Sequence, residues 1–325
     1  MNIVFVVPGS GNSFYCENCL RDCAVVKALR DIGHDVVLVP LYLPLFANEE
    51  KLQQETPTFF GGINVYLQQK CALFRRTPRW VDRLLDSRFL LKMAARKAGS
   101  TRARGLGAMT LSMLQGRDGN QVKEADRFVL WLRDMAPDVI HISNALLLGI
   151  VPALRETIPG AGIFCSLQDE HTWLDDLDPP YDVRCRERIS ELVPDVSCFT
   201  PVSGYYEGFC RQRFAIPDGK TSVVPVGLSP QNYPESSRPF EPPVIGYLAR
   251  ICESLGAGDL LDAFLKLRKN FPLRDLRLVF AGGMTSDDKR FIDGLRARLR
   301  EHNAEDAVRF LPGLDQDTRN EFFRS

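Results

Sequence analysis

Four stretches of this 325-residue chain hold residues whose types and spacing could do chemistry. The first is Pro8-Gly9-Ser10-Gly11-Asn12-Ser13, directly after the unbroken apolar run of residues 3–7. Glycine reaches positive φ and lets a ligand or a second backbone come close. The second is Gln168-Asp169-Glu170-His171, a cluster of polar groups at the end of another short apolar run and suited to recognising hydroxyls. The third is Arg250, at the end of the run 244–248. The fourth is Gly282-Gly283, which closes the run 276–281 and reads equally as a ligand loop or a simple turn. His141 sits inside the apolar run 139–142 and reads as a satisfied core histidine rather than an acid or base.

The elements that must position these residues follow from periodicity. Residues 3–7 suit a strand buried on both faces. After the Gly-rich loop, Leu20, Val25, Leu29 and Ile32 recur on one helical face and Gly33 ends it. Residues 35–39 form the next strand. Strand, Gly-rich turn, helix, strand is the first unit of a doubly wound α/β domain, and ligands bind such sheets beyond the carboxyl ends of their strands. Residues 43–121 then form an insertion. It holds a turn and short strand over 59–67, a helix over 80–98 and a mobile loop over 99–120, which has five glycines. Residues 75–104 carry ten Lys or Arg against Asp82 and Asp86. That composition suits either a solvated helix face or a helix lying on an anionic membrane. Regular order resumes with helices at 122–135, 145–156, 182–192 and 204–214, and strands at 139–142, 163–167, 196–202 and 222–226. Residues 228–243 have five prolines and read as a linker between an N-terminal domain, 1–227, and a second α/β series, 244–325. That series has about three strands, fewer than doubly wound sheets commonly have, so the chain is expected to be a truncated form.

Composition narrows the function. With 45% hydrophobic and 25% charged residues the chain is an ordinary globular sequence. Its formal net charge of zero argues against a general nucleic-acid binder. The N-terminus lacks a signal peptide's basic region, and no apolar run reaches the ~18 residues of a membrane span. Nine cysteines without an export signal read as reduced thiols of a cytoplasmic protein. Cys16, Cys19 and Cys23 read as small apolar residues near a helix start rather than zinc ligands, because no matching Cys/His pair accompanies them. The dinucleotide fingerprint fails twice: Phe14 stands at its third glycine, and Pro40-Leu41 stand where an acid should hold a ribose.

The order and spacing of several segments resemble the retaining family 4 glycosyltransferases. These are PGSGNSFYCENCLRD, ALRDIGHDVVLVP, FFGGINVYLQQKCALF, PDVIHISNALLLG, TPVSGYYEGF and VVPVGL in the first domain. IGYLARICESLGAGDLLDAF, LVFAGG and VRFLPGLDQDTRNEFFRS follow in the second. The resemblance implies a GT-B fold, two Rossmann-like domains facing a cleft, the second incomplete here. It implies sugar transfer from a nucleotide-sugar donor to a glycan, lipid-linked or small-molecule acceptor, with retention and without a metal or other cofactor. By the same resemblance Gly9, Gly11, Arg250, Gly282 and Gly283 would meet the donor, Arg250 through its phosphates. Ser10, Asn12, Ser143, Asn144, Gln168, Asp169 and Glu170 would meet the acceptor. The chain departs from the family pattern at Leu255, where a lysine is expected, and at Ser143, where a histidine is frequent. A non-catalytic relative that binds a glycan or nucleotide is the alternative reading.

Overall fold

The structure is a computed structural model. It describes residues 1–9, 17–42, 59–60, 62–71, 74, 103–227, 242–270, 275–284, 288–312 and 316–324. The basic stretch 75–102 and most of the linker lie outside these residues. The chain divides into two compact units, with the break after Gly227.

The first unit contains a five-stranded parallel sheet. Its strands are β1 (Asn2–Val7), β2 (Asp35–Pro40), β3 (Val139–Ile142), β4 (Gly162–Leu167) and β5 (Cys198–Pro201), in the order β2-β1-β3-β4-β5. The described helices are α1 (Glu17–Asp31), α2 (Gly62–Lys70), α3 (Gly107–Leu114), α4 (Val122–Met135), α5 (Val151–Thr157), α6 (Glu170–Asp175), α7 (Tyr181–Leu192) and α8 (Gly204–Phe214). A 3-10 turn, Ala145–Ile150, precedes α5. Strand alternation sorts β1 between two cores. Val4 and Val6 pack with Phe128, Leu132, Ile142 and Leu154, while Ile3, Phe5 and Val7 pack with Cys23 and Val26 of α1. Both faces are therefore covered, as an all-parallel sheet requires. Each fully buried Leu, Val or Phe contributes roughly 1.5–3 kcal/mol over its exposed state. Because β2 lies on one side of β1 and β3 on the other, the winding reverses between β1 and β3. A doubly wound sheet opens its ligand crevice at the carboxyl ends there.

The second unit holds β6 (Val244–Leu248), α9 (Ala257–Asn270), β7 (Arg277–Gly282), α10 (Lys289–Glu301), β8 (Val308–Pro312) and α11 (Gln316–Arg324), with a parallel sheet ordered β6-β7-β8. Leu261, Phe264, Leu278, Phe280, Ile292 and Leu295 fill one face. Val279, Ala281 and Leu311 pack on the other with Leu248 and Phe322. Both units are Rossmann-like.

Four expectations need correction. Residues 62–70 are helical, not a turn and strand. Val65 and Gln68, three apart, are buried on one side of α2, so helical phase outweighs the β-branched content. Within the described part of 99–120 the glycines do not mark one continuous loop. Residues 107–114 form α3, whose turns press against the 3-10 segment. A Cβ on Gly149 would sit 2.0 Å from the Met113 carbonyl oxygen, and one on Gly116 2.0 Å from that of Gly149. The glycines there permit backbone contact. Residues 222–226 are extended and bond to β5 through Ser222 N–H to Phe199 and Val224 N–H to Pro201, but form no full strand. Ile32 is 71% exposed, so the inner face of α1 runs through Asp22, Cys23 and Val26 instead.

Candidate functional site

Each sheet gathers candidate residues at its carboxyl edge. In the first unit Gly9 follows β1 with φ of +79°. Ser10, Gly11 and Asn12 lie outside the described residues. Ser143 and Asn144 follow β3. The Ser143 amide donates to Val6, extending the β1–β3 ladder, and the Asn144 Oδ1 accepts from the Leu146 amide at 3.0 Å, starting the 3-10 turn. Gln168, Asp169 and Glu170 follow β4.

Glu170 is fully buried. Its Oε1 accepts from the Ala145 amide at 3.0 Å; its Oε2 accepts from the Gln168 amide and the Tyr206 hydroxyl, both at 3.0 Å. Burial raises its pKa and these donors pull it back down. One carboxyl thus ties together the segments after β3 and β4 and the helix after β5. His171 Nδ1 lies 3.1 Å from the same Tyr206 hydroxyl. Asp169 is exposed, and its Oδ1 accepts from Asn18 Nδ2 at 2.8 Å.

Gln168 reaches inward. Its Nε2 donates to the Ser143 carbonyl at 2.8 Å and to Asp22 Oδ1 at 3.4 Å. Asp22 lies on the inner face of α1 and is 1% exposed. Burial pushes its carboxyl up to about 7, against the charge of Arg21 and the Gln168 and Ser143 side chains. Asp22 Oδ2, Gln168 Oε1 and Arg21 Nη1 are buried and find no hydrogen-bond partner among the described residues. Sequence reading missed Asp22 and Arg21. The available signal was the phase of α1, which turns Asp22 inward beside Cys23 and Val26.

The raised Asp22 carboxyl has a sign that can be measured. The folded chain holds this proton more tightly than the unfolded one, so its contribution to stability is greatest below about pH 4. That contribution is lost as pH rises to about 7 and is flat above. Asp22→Asn is expected to be more stable than wild type at pH 8, by about 2 kcal/mol, with the gap closing towards pH 4. Denaturant midpoints at both pH values check it; a pH-independent difference would show that Asp22 is not the titrating group.

His141 is a partly buried residue of β3. It stacks on Phe5 with ring centroids 4.2 Å apart, and its Nε2 lies 2.8 Å from Ser166 Oγ. Burial, with Arg21 nearby, lowers its pKa to about 3, so it stays neutral near pH 7.

In the second unit Arg250 lies just beyond β6. Its Nε and Nη2 each donate to a different oxygen of Asp288, both at 3.0 Å. Asp288 is 6% exposed and directly precedes α10. Gly282 ends β7, where a Cβ would meet the Ala249 carbonyl oxygen at 1.7 Å, and the Ile251 amide donates to the Gly283 carbonyl. These glycines draw the β7 end against the Arg250 loop. Leu255 is 51% exposed and so faces solvent. Among the described residues no group of His, Cys, Asp or Glu could hold a metal ion, and no helix is long and apolar enough to cross a membrane.

No protein-family model matches the sequence, and no curated protein matches it. Solved structures do match its fold. HepE from Anabaena, in complex with UDP and glucose, is 13% identical with a TM-score of 0.59, over 98% of this chain and 71% of that one. Sucrose-phosphate synthase from Thermosynechococcus elongatus is 12% identical with a TM-score of 0.58, over 99% and 73%. The catalytic domain of starch synthase IV from Arabidopsis thaliana, bound to ADP and acarbose, is 11% identical with a TM-score of 0.56, over 100% and 76%. The fold is that of the GT-B glycosyltransferases.

Proposed function

We propose that the chain is a nucleotide-sugar glycosyltransferase of the retaining family 4 type, transferring a hexose to a glycan, lipid-linked or small hydroxylated acceptor without a metal. The observation that supports this best is Arg250 at the carboxyl edge of β6, in a GT-B fold, beside the close Gly282-Gly283 turn. A guanidinium already held by Asp288 is oriented before a diphosphate arrives, and charge-assisted bonds to phosphate oxygens are among the stronger polar contacts. HepE was solved with UDP-glucose, and this reading takes a uridine nucleotide-sugar as the first donor to try. The carboxyl edge of the first sheet, with Ser143, Gln168 and Asp169, takes the acceptor.

The test is calorimetric titration with UDP and with uridine, followed by a donor-hydrolysis assay. UDP binding with no uridine binding of similar strength supports a diphosphate site; equal affinities would overturn it. Leu255 favours the second reading, a binding protein without turnover, because the resemblance puts a cation there. Since Leu255 faces solvent, Leu255→Lys is expected to leave stability within ~0.5 kcal/mol. It should tighten UDP binding several-fold without changing uridine binding, because a surface charge acts only on the phosphates. No gain for UDP would place Leu255 away from the diphosphate.

A further inference from the structure

We propose that Asp22 and Gln168 form a pH-sensitive latch, in which a proton shared by their side chains fastens α1 to the segment after β4 and loss of that proton loosens it. The latch belongs to the fold of the first unit and holds whatever the chain transfers.

Two contacts tie these elements together. Asn18 and Asp22 lie one turn apart on α1. Asn18 Nδ2 donates to Asp169 Oδ1 at 2.8 Å on the outside, and Asp22 Oδ1 accepts from Gln168 Nε2 at 3.4 Å on the inside. The inner contact is sealed, with Asp22 1% and Gln168 8% exposed. Ser143 fixes the Gln168 amide. Gln168 Nε2 donates to the Ser143 carbonyl at 2.8 Å, and flipping the amide would set oxygen against oxygen. Both Nε2 hydrogens are then used. Gln168 Oε1 is left without a donor, as is Asp22 Oδ2. Two touching side chains thus each bury one spare acceptor, and such atoms cost stability.

One proton satisfies both. A carboxylic acid and a primary amide pair through two hydrogen bonds, N–H to one carboxyl oxygen and O–H to the amide oxygen. The first joins Nε2 to Oδ1; a proton on Oδ2 supplies the second. An ionised Asp22 instead sets two buried acceptors side by side. Only weak donors then hold its charge, Gln168 Nε2 at 3.4 Å and the Ser143 side chain. The groups around it that titrate or carry charge are Arg21 and Cys23 on α1, His141 on β3 and Glu170 after β4. Arg21 stays cationic and favours the ionised acid, but burial outweighs it. His141 stays neutral above about pH 3. Glu170 spends its oxygens on the Ala145 and Gln168 amides and the Tyr206 hydroxyl. The latched form therefore binds the proton more tightly than an opened form that exposes Asp22 to water. Its hold is strongest below about pH 4, weakens as pH rises to about 7 and is level above.

The experiment follows amide exchange by mass spectrometry in the full chain from about pH 4.5 to 8, corrected for intrinsic exchange. Protection of residues 17–31 and 168–175 is expected to fall together by about 30-fold up to about pH 7 and to level off there. Both segments should exchange faster than β3 and β5 at about pH 8, because releasing the latch is a local opening. Asp22→Asn copies the protonated acid: its amide accepts from Gln168 Nε2 and donates to Gln168 Oε1. It should show no such step and be about 30-fold better protected than wild type at about pH 8. Glu170→Gln, the control for the other buried carboxyl, should keep the step. In a Gln168→Met background the asparagine finds no acceptor, and the gain from Asp22→Asn should shrink to about threefold or less. The inference is overturned if the step is absent, if Asp22→Asn retains it, if Glu170→Gln loses it, or if the gain is the same with and without Gln168. Protection equal to that of β3 and β5 at every pH would mean that the two elements part only on global unfolding, and would also overturn it.

Discussion

Glu170→Ala is expected to destabilise the first unit by about 4 kcal/mol, and Glu170→Gln by about half that. The alanine variant leaves the Ala145 amide, the Gln168 amide and the Tyr206 hydroxyl without their acceptor. Each orphaned buried donor costs ~1–3 kcal/mol, partly offset because a carboxyl that was expensive to bury is gone. Glutamine keeps the volume and one oxygen but turns an N–H towards a donor. Trp80, Trp131 and Trp173 are the chain's three tryptophans and all precede residue 227, so fluorescence-detected denaturation reports the first unit alone. A loss under 1 kcal/mol for Glu170→Ala would mean that the loops after β3, β4 and β5 hold together without it.

The position of Glu170 was legible; its role was not. An acid just past a buried strand reads as a ligand contact because strand ends are where such sheets bind. Its partners lie 25 and 36 residues away, on segments that meet only once β3, β4 and β5 are placed side by side. Periodicity finds strands, and it found all eight described ones, but it does not pair polar groups across a sheet edge. The same limit hid Asp288: Arg250 could be placed by its strand, while its anchor stands 38 residues on, before α10. Asp22 shows a different failure. The apolar positions of α1 suggested a stripe ending at Ile32, and the buried face is rotated from it, with a carboxylate where an apolar residue is the usual choice. Gly107, Gly116 and Gly119 misled for a physical reason, since small residues serve close packing and loops equally well.

Arg250→Ala is expected to weaken UDP binding by 10- to 100-fold and to destabilise the second unit by about 3 kcal/mol. The two losses have separate causes. A charge-assisted bond contributes roughly 1.5–3 kcal/mol, and each factor of ten corresponds to ~1.4 kcal/mol. The stability loss comes from Asp288, whose carboxylate stays buried after its bidentate partner is removed. Replacing both members with apolar groups, Arg250→Met with Asp288→Leu, removes the buried charge as well as the pair. Such exchanges are often neutral in stability, apart from a few tenths of a kcal/mol for the acid lost at the start of α10. The double variant is therefore expected to regain most of the stability and none of the UDP affinity. The second unit has no tryptophan, so amide exchange in β6 and β7 is the readout for its stability. Recovery of UDP binding in the double variant would show that Arg250 acts only by holding Asp288. Unchanged affinity in Arg250→Ala would take the residue out of the site, and with it the main second-unit argument for a diphosphate donor.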